Sequence, residues 1–224
     1  MNHKQKEVEE YLLKNKRQIE MAITHLTSFH GRAVRKKTKL NDVFLDNVFA
    51  KLILPLQVSI LEIELNIIIN KHDTLFAPLT SLIDFSRKTL TEKWISILTF
   101  LFEERYLKGN GKSMNKVSIG DTNFHRYTTL LELVSKELNS FIELRNRLVH
   151  GQWGIAFNHD VLIKNQELTT AAWTLSKKET MVINAFVSNL PILLKLLAVS
   201  KSAFEAGYDR YIGKIQRAGK ISSL

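Results

Sequence analysis

An all-α bundle of antiparallel helices, with room for one small β-hairpin, is the fold class this sequence predicts, on three observations. Three prolines and nine glycines in 224 residues leave long stretches with few helix breakers. Apolar residues recur at helical spacing along most of the chain. A hydrophobic fraction of 45% is enough for a sizeable core and too high for a disordered chain. No repeat, long low-complexity tract or interdomain linker interrupts the pattern, so residues 1–224 read as a single helical domain with a flexible basic C-terminal tail.

The elements follow in order. Val8, Leu12, Ile19, Ile23 and Leu26 predict a helix from Lys4 to about Phe29. The densest basic run, Arg32 to Lys39, comes next; Arg35, Lys36 and Lys37 are its candidate phosphate contacts, and a solvated linker is the other reading. From Asp46 to about Asn70 a strongly apolar helix is expected, bent or restarted near Pro55, and Pro78 marks the following turn or first helical residue. A further helix starts around Thr91–Trp94 and continues to about Leu107. Lys108 to Thr122, with Gly109, Gly111 and Gly120, reads as a loop. Its Gly109-Asn110-Gly111-Lys112-Ser113 lacks the spacing and the preceding strand of a phosphate loop, which excludes that kind of ATPase.

Thr122 or Asn123 is the expected cap of the next long helix, whose apolar side holds Leu130, Leu131, Val134, Leu138, Phe141, Ile142, Leu144 and Leu148. Gly151 is a suitable stop. After it, Trp153–Phe157 and Val161–Ile163 are β-prone pieces around Asn158-His159-Asp160, readable as a small hairpin or an irregular excursion. Ser176 opens another helical region reaching about Leu197, and a terminal helix runs from about Ser202 to Ile215.

Composition removes several chemistries. With no cysteine, disulfides, thiolate nucleophiles, cysteinyl zinc sites and iron–sulfur clusters are excluded. His25 with His30, His72-Asp73 and His159-Asp160 carry ligand atoms but no convincing metal spacing, so neither a metal nor another cofactor is expected. Lys plus Arg exceed Asp plus Glu by 32 − 22 = 10, and the pI is about 9.7. Such an excess suits RNA, DNA or an anionic membrane surface, and also plain solubility. A polar, charged run follows Met1, and the apolar stretches Ile53–Ile69 and Ile183–Val199 are interrupted by polar residues. The expectation is therefore a cytoplasmic protein without stable membrane insertion.

The residues that ask for a chemical explanation are Arg145, Asn146, Arg147 and His150, polar positions near the end of an otherwise apolar helix. Histidine accepts or donates a proton near neutral pH. Arginine holds phosphate oxygens through a planar fork, and Asn146 can orient a substrate oxygen or the histidine. RNA brings its own nucleophile, the ribose 2′-hydroxyl, so no metal is required. Five helical residues turn by about 140 degrees net, so one ideal helix does not bring Arg145 and His150 together. Both can address one extended phosphodiester, or converge by fraying at Gly151, or a symmetric partner can complete the site. Arg147 and Trp153 are additional RNA-contact candidates. Trp94 could stack on bases but fits the core better, and His125-Arg126-Tyr127 could extend an RNA surface but fits a helix start better. The plain alternative is that Arg145 forms a salt bridge and His150 caps the helix.

At Arg145-Asn146-Arg147-Leu148-Val149-His150 the sequence resembles the HEPN family, whose nuclease motif is Arg, a polar residue, a short spacer and His; the following Gly151 fits as well. The resemblance implies an antiparallel helical bundle that commonly forms homodimers, bringing two motifs into one cleft. It also implies a metal-independent endoribonuclease of the kind found in toxin–antitoxin, phage-defence or RNA-processing systems, with an antitoxin or larger defence complex as further partner. By it, Arg145 stabilises the phosphate, Asn146 supports, and His150 transfers the proton. Gln152 departs from the tyrosine frequent at that position in the toxin-like branch. A noncatalytic RNA-binding or protein-interaction bundle is the competing reading, and a peripheral membrane or regulatory helical protein a third.

Overall fold

A computed structural model describes residues 3–35, 42–81, 83–107, 113–157 and 163–222. Helix α1 (His3–Arg35) is long and mostly solvated, and lies along α2 (Asp42–Lys71). Helix α2 is the axis of the bundle, touching α1 and the later helices over Asn139–Val149 and Lys177–Val199. It buries Leu54, Val58, Leu61, Leu65 and Ile68. The expected restart at Pro55 does not occur. The helix runs through it, because packing on several sides offsets the one backbone hydrogen bond that proline removes.

Short helices α3 (Asp73–Thr80) and α4 (Ile83–Arg87) lead to α5 (Leu90–Phe102). Helix α5 begins with a reciprocal box: Glu92 N–H donates to the Thr89 hydroxyl, and Thr89 N–H donates to the Glu92 carboxylate. It ends in a π-type turn, Glu103–Leu107. Gly109 to Lys112 lie outside the described residues. The expected loop around them also holds a single helical turn, α6 (Lys116–Ile119), capped by Asn115. Gly120 then takes φ +82°, a left-handed conformation suited to glycine. Helix α7 (Asp121–Glu132) therefore starts one or two residues ahead of the expected caps at Thr122 and Asn123.

A π-type turn, Leu133–Leu138, joins α7 to the motif helix α8 (Asn139–Val149) without a break. Its wider winding re-phases the apolar face, so that Leu138, Ile142, Leu144 and Leu148 are all buried. Helix α8 stops where expected: Gly151 takes φ +78°, and its N–H donates to the Leu148 carbonyl.

The hairpin expected over Trp153–Phe157 and Val161–Ile163 is corrected by the structure. No strand occurs among the described residues; Phe157 and Lys164 form one isolated antiparallel bridge. Asn158, His159, Asp160 and Val161 lie outside the described residues. The reason is visible in the hydrogen bonds. Phe157 N–H donates to Gln152 Oε1 (2.9 Å), Ala156 N–H to Thr169 Oγ1 (3.0 Å), and Asn165 N–H to the Ala156 carbonyl (2.8 Å). Single polar partners satisfy the backbone, which leaves little for a ladder.

Helix α9 (Gln166–Thr174), capped by Asn165, is an element that the sequence pattern did not reveal. Ser176 caps α10 (Lys177–Val199) in a second box with Glu179. The last helix, α11 (Lys201–Ser222), extends through most of the supposed tail. One apolar core runs from α2 to α11, centred on Trp94, Phe102, Phe186 and Phe204. Phe44–Lys71 and Lys177–Val199 are long and apolar enough to cross a bilayer, yet 56% of the most apolar window of each is buried in the bundle, where α2 and α10 pack on one another.

Candidate functional site

Helix α8 presents its last two turns to α2 and to the start of α5. Arg145 is about three-quarters covered, with a side-chain exposure of 22%. One guanidinium nitrogen donates to Glu62 Oε2 on α2 at 3.1 Å, and the other to Asn146 Oδ1 at 3.1 Å. Its Nε–H is buried and finds no acceptor among the described residues. Arg145 and Asn146 line a groove of about 300 Å³, together with Lys88, Thr89, Lys93 and Glu62. The lining thus holds three cations to one carboxylate, with Arg145 paired to Glu62 and Lys88 Nζ bonded to Ser96 Oγ at 2.6 Å, a formal excess of positive charge compatible with an anion.

His150 occupies the C-cap of α8, with its backbone N–H donating to the Asn146 carbonyl at 3.2 Å. Its side chain is exposed and does not line the Arg145 groove. The chain therefore joins Arg145 to Asn146 and leaves His150 on the open end of the same helix. Arg147 is half-buried, and its carbonyl accepts from Gln152 N–H at 2.9 Å. This Gln152 contact gives the position a structural role: its backbone and side chain both fasten the loop after the motif.

Trp153 folds back on the motif helix, its indole N–H donating to the Leu148 carbonyl at 2.9 Å. Lys51 on α2 donates to the Trp153 carbonyl, also at 2.9 Å. Arg35 ends α1, and Lys36 and Lys37 lie outside the described residues. Among the described residues no group of three His, Asp or Glu side chains is placed to hold a metal. Trp94 is fully buried, as its assignment to the core requires.

Sequence reasoning missed Glu62, Lys88, Lys93 and Lys51. No local signal marks them. They belong to the site because α2, which carries Lys51 and Glu62, and the start of α5, with Lys88 and Lys93, run beside α8, which is a tertiary fact. Comparison of the chain with protein-family models, with curated proteins and with solved structures finds no match.

Proposed function

We propose that this protein is a metal-independent endoribonuclease of the HEPN type, acting in the cytoplasm as a homodimer, in a toxin–antitoxin or phage-defence setting. The observation that supports it best is the division of labour on α8: a solvent-facing His150 at the helix end, and Arg145 with Asn146 set into a cationic groove one turn earlier. In the reaction, one histidine takes the proton of the ribose 2′-hydroxyl. The 2′-oxygen attacks the adjacent phosphorus, Arg145 stabilises the charge that gathers on the phosphoryl oxygens, and the 5′-oxygen departs with a proton. The products are a 2′,3′-cyclic phosphate and a 5′-hydroxyl. Base and acid stand on opposite sides of the phosphate, and one protomer offers a single histidine in this cluster. A second copy across a two-fold axis supplies the other.

The test is cleavage of RNA by purified protein in EDTA. His150→Ala is expected to lower the rate by about 10²–10⁴-fold without loss of fold, since His150 is exposed. Light scattering is expected to give about twice the 25.8 kDa of one chain. Persistent activity in clean His150→Ala protein, or equal cleavage of DNA of the same sequence, defeats the assignment. The Arg145–Glu62 ion pair favours a second reading, a noncatalytic RNA-binding or protein-interaction module in which the arginine is structural. That reading expects salt-sensitive RNA association with no products.

A further inference from the structure

Two of the three tryptophans stand at the surface beside the motif. Trp94 is fully buried, whereas Trp153 is 37% and Trp173 62% exposed. Exposed indoles on one surface call for a reason, and these two are fastened in place. Trp173, at the end of α9, donates its indole N–H to the Gly154 carbonyl at 2.6 Å, next to the residue whose own indole is tied to Leu148. Beneath them, α2 contributes two almost fully buried polar side chains, Asn47 (8% exposed) and Lys51 (6%). The two N–H groups of Asn47 Nδ2 are shared among the carbonyls of Ala172 (3.0 Å), Trp173 (3.1 Å) and Leu175 (2.8 Å). Lys51 Nζ stands 5.3 Å from the centre of the Trp173 ring while it bonds the Trp153 carbonyl.

Burial of apolar surface alone does not account for this arrangement, because Asn47 and Lys51 are buried with their polar atoms bonded while both indoles stay exposed. An indole whose N–H is already satisfied offers only its π face, which suits stacking. The chemistry of the neighbourhood selects the occupant. Lys51 is a cation held against the Trp173 ring and bonded to the Trp153 carbonyl, and Arg147 and His150 precede Trp153 along the chain. Along α2, Glu62 and Lys51 are separated by about 16 Å of helix. Arg145 is tied to Glu62 and Trp153 to Lys51, so the groove and the indoles stand about that far apart along α2.

We infer that Trp153 and Trp173 form a base-stacking platform for single-stranded nucleic acid, which makes unpaired RNA the substrate class of the nuclease. The substrate assignment rests on the function proposed above; the stacking requires only a strand with free bases. A duplex does not fit, because its bases already stack on one another.

Tryptophan fluorescence tests this directly, since Trp94 is a buried background. The protein carries His150→Ala so that the strand survives. Titration with a short single-stranded RNA, and with a single-stranded DNA of the same sequence, is expected to quench the exposed emission, and a blunt duplex is expected to leave it. Trp173→Ala should weaken single-strand binding by at least about ten-fold, and Trp173→Phe should restore most of it. Unchanged affinity in Trp173→Ala, or absence of quenching by either strand, overturns the platform. So does loss of dimer mass in Trp173→Ala without nucleic acid, which marks the patch as an interface between copies. The two readings fail separately: quenching without cleavage by the unmodified protein refutes the nuclease alone, and cleavage without quenching refutes the platform alone.

Discussion

Glu64 and Lys51 lie on the same helix and are equally hidden, at 5% and 6% exposure, yet the protein treats the two charges differently. Glu64 receives two cations: Lys16 from α1 and Lys195 from α10, each at 2.6 Å. Burial pushes its carboxyl up, but the hydrogen bonds and charges of the two lysines more than offset this and hold it below the usual carboxylate range. Lys51 has no carboxylate partner among the described residues. A carbonyl and an indole ring are its company, and burial lowers its titration. A buried charge that is fully paired ties elements together. One that lacks a counter-ion is costly, and its retention points to a task beyond stability. The contrast separates a scaffold side of α2, facing α1 and α10, from a site side, facing α8 and α9.

The largest effect should come from the scaffold side. Glu64→Gln leaves two lysines without their shared carboxylate, and breaking a buried pair costs about 3–5 kcal/mol. Both lysines reach solvent, at 25% and 38% side-chain exposure, so about 3 kcal/mol is expected, or a fall in Tm of about 6–12 °C. Cleavage per folded molecule should stay unchanged. The carboxyl titrates lower folded than unfolded, so its contribution is complete above about pH 4.3 and is lost as pH falls toward the folded value. The stability gap between wild type and variant should therefore close in acid. A gap that widens there would show that the triad does not hold Glu64 ionised.

A middle-sized effect is expected where scaffold and site meet. Asn47→Ala removes the amide whose two N–H groups are shared among three carbonyls at the end of α9. Buried polar atoms left unsatisfied cost about 1–3 kcal/mol. The loss should be local, read as faster amide exchange over Gln166–Thr174 and as altered Trp173 emission, with α10 and α11 unaffected. Uniformly faster exchange along the chain would erase the distinction between the two sides.

What could be read in the sequence follows the same boundary. Local signals were legible: the stop at Gly151, the helix opened at Ser176 and the core place of Trp94, because each rests on neighbours a few residues apart; of the Arg145–His150 segment, Arg145 and Asn146 share a groove that His150 does not line. The partners of that segment were not legible. Glu62, Lys88, Lys93 and Lys51 acquire their roles only when α2, α5 and α8 come together. Pro55 suggested a broken helix because propensity is local, whereas packing on several sides carries α2 through it. The β-prone run at Trp153–Phe157 was misread for a related reason. Its residue types suit a strand, but side chains from Gln152 and Thr169 take its amides singly. Trp173 and α9 escaped notice although Asn165, three residues ahead of Leu168, was an available capping signal.

The smallest effect on stability, and the most informative, is expected at Lys51. Replacing it by methionine keeps an unbranched apolar stem of similar length and removes a cation that burial disfavours. Exchange of a buried charged group for an apolar one of similar shape is often neutral or stabilising. Here the lost bond to the Trp153 carbonyl works against that gain, so the net change should lie within about 1 kcal/mol. The pH dependence fixes the sign. Lys51 titrates lower in the folded protein than in the unfolded chain, so the unfolded state binds more protons between the two values. Wild type should therefore gain stability relative to Lys51→Met as pH rises toward about 10.4, the ordinary lysine value. Binding should change in the other direction. Without the ammonium group under the Trp173 ring, single-stranded RNA should bind several-fold more weakly, and its affinity should fall less steeply with salt. A Lys51→Met protein that is several kcal/mol less stable but binds RNA normally would place Lys51 beside Glu64 as scaffold, and remove the contrast on which the site side of α2 rests.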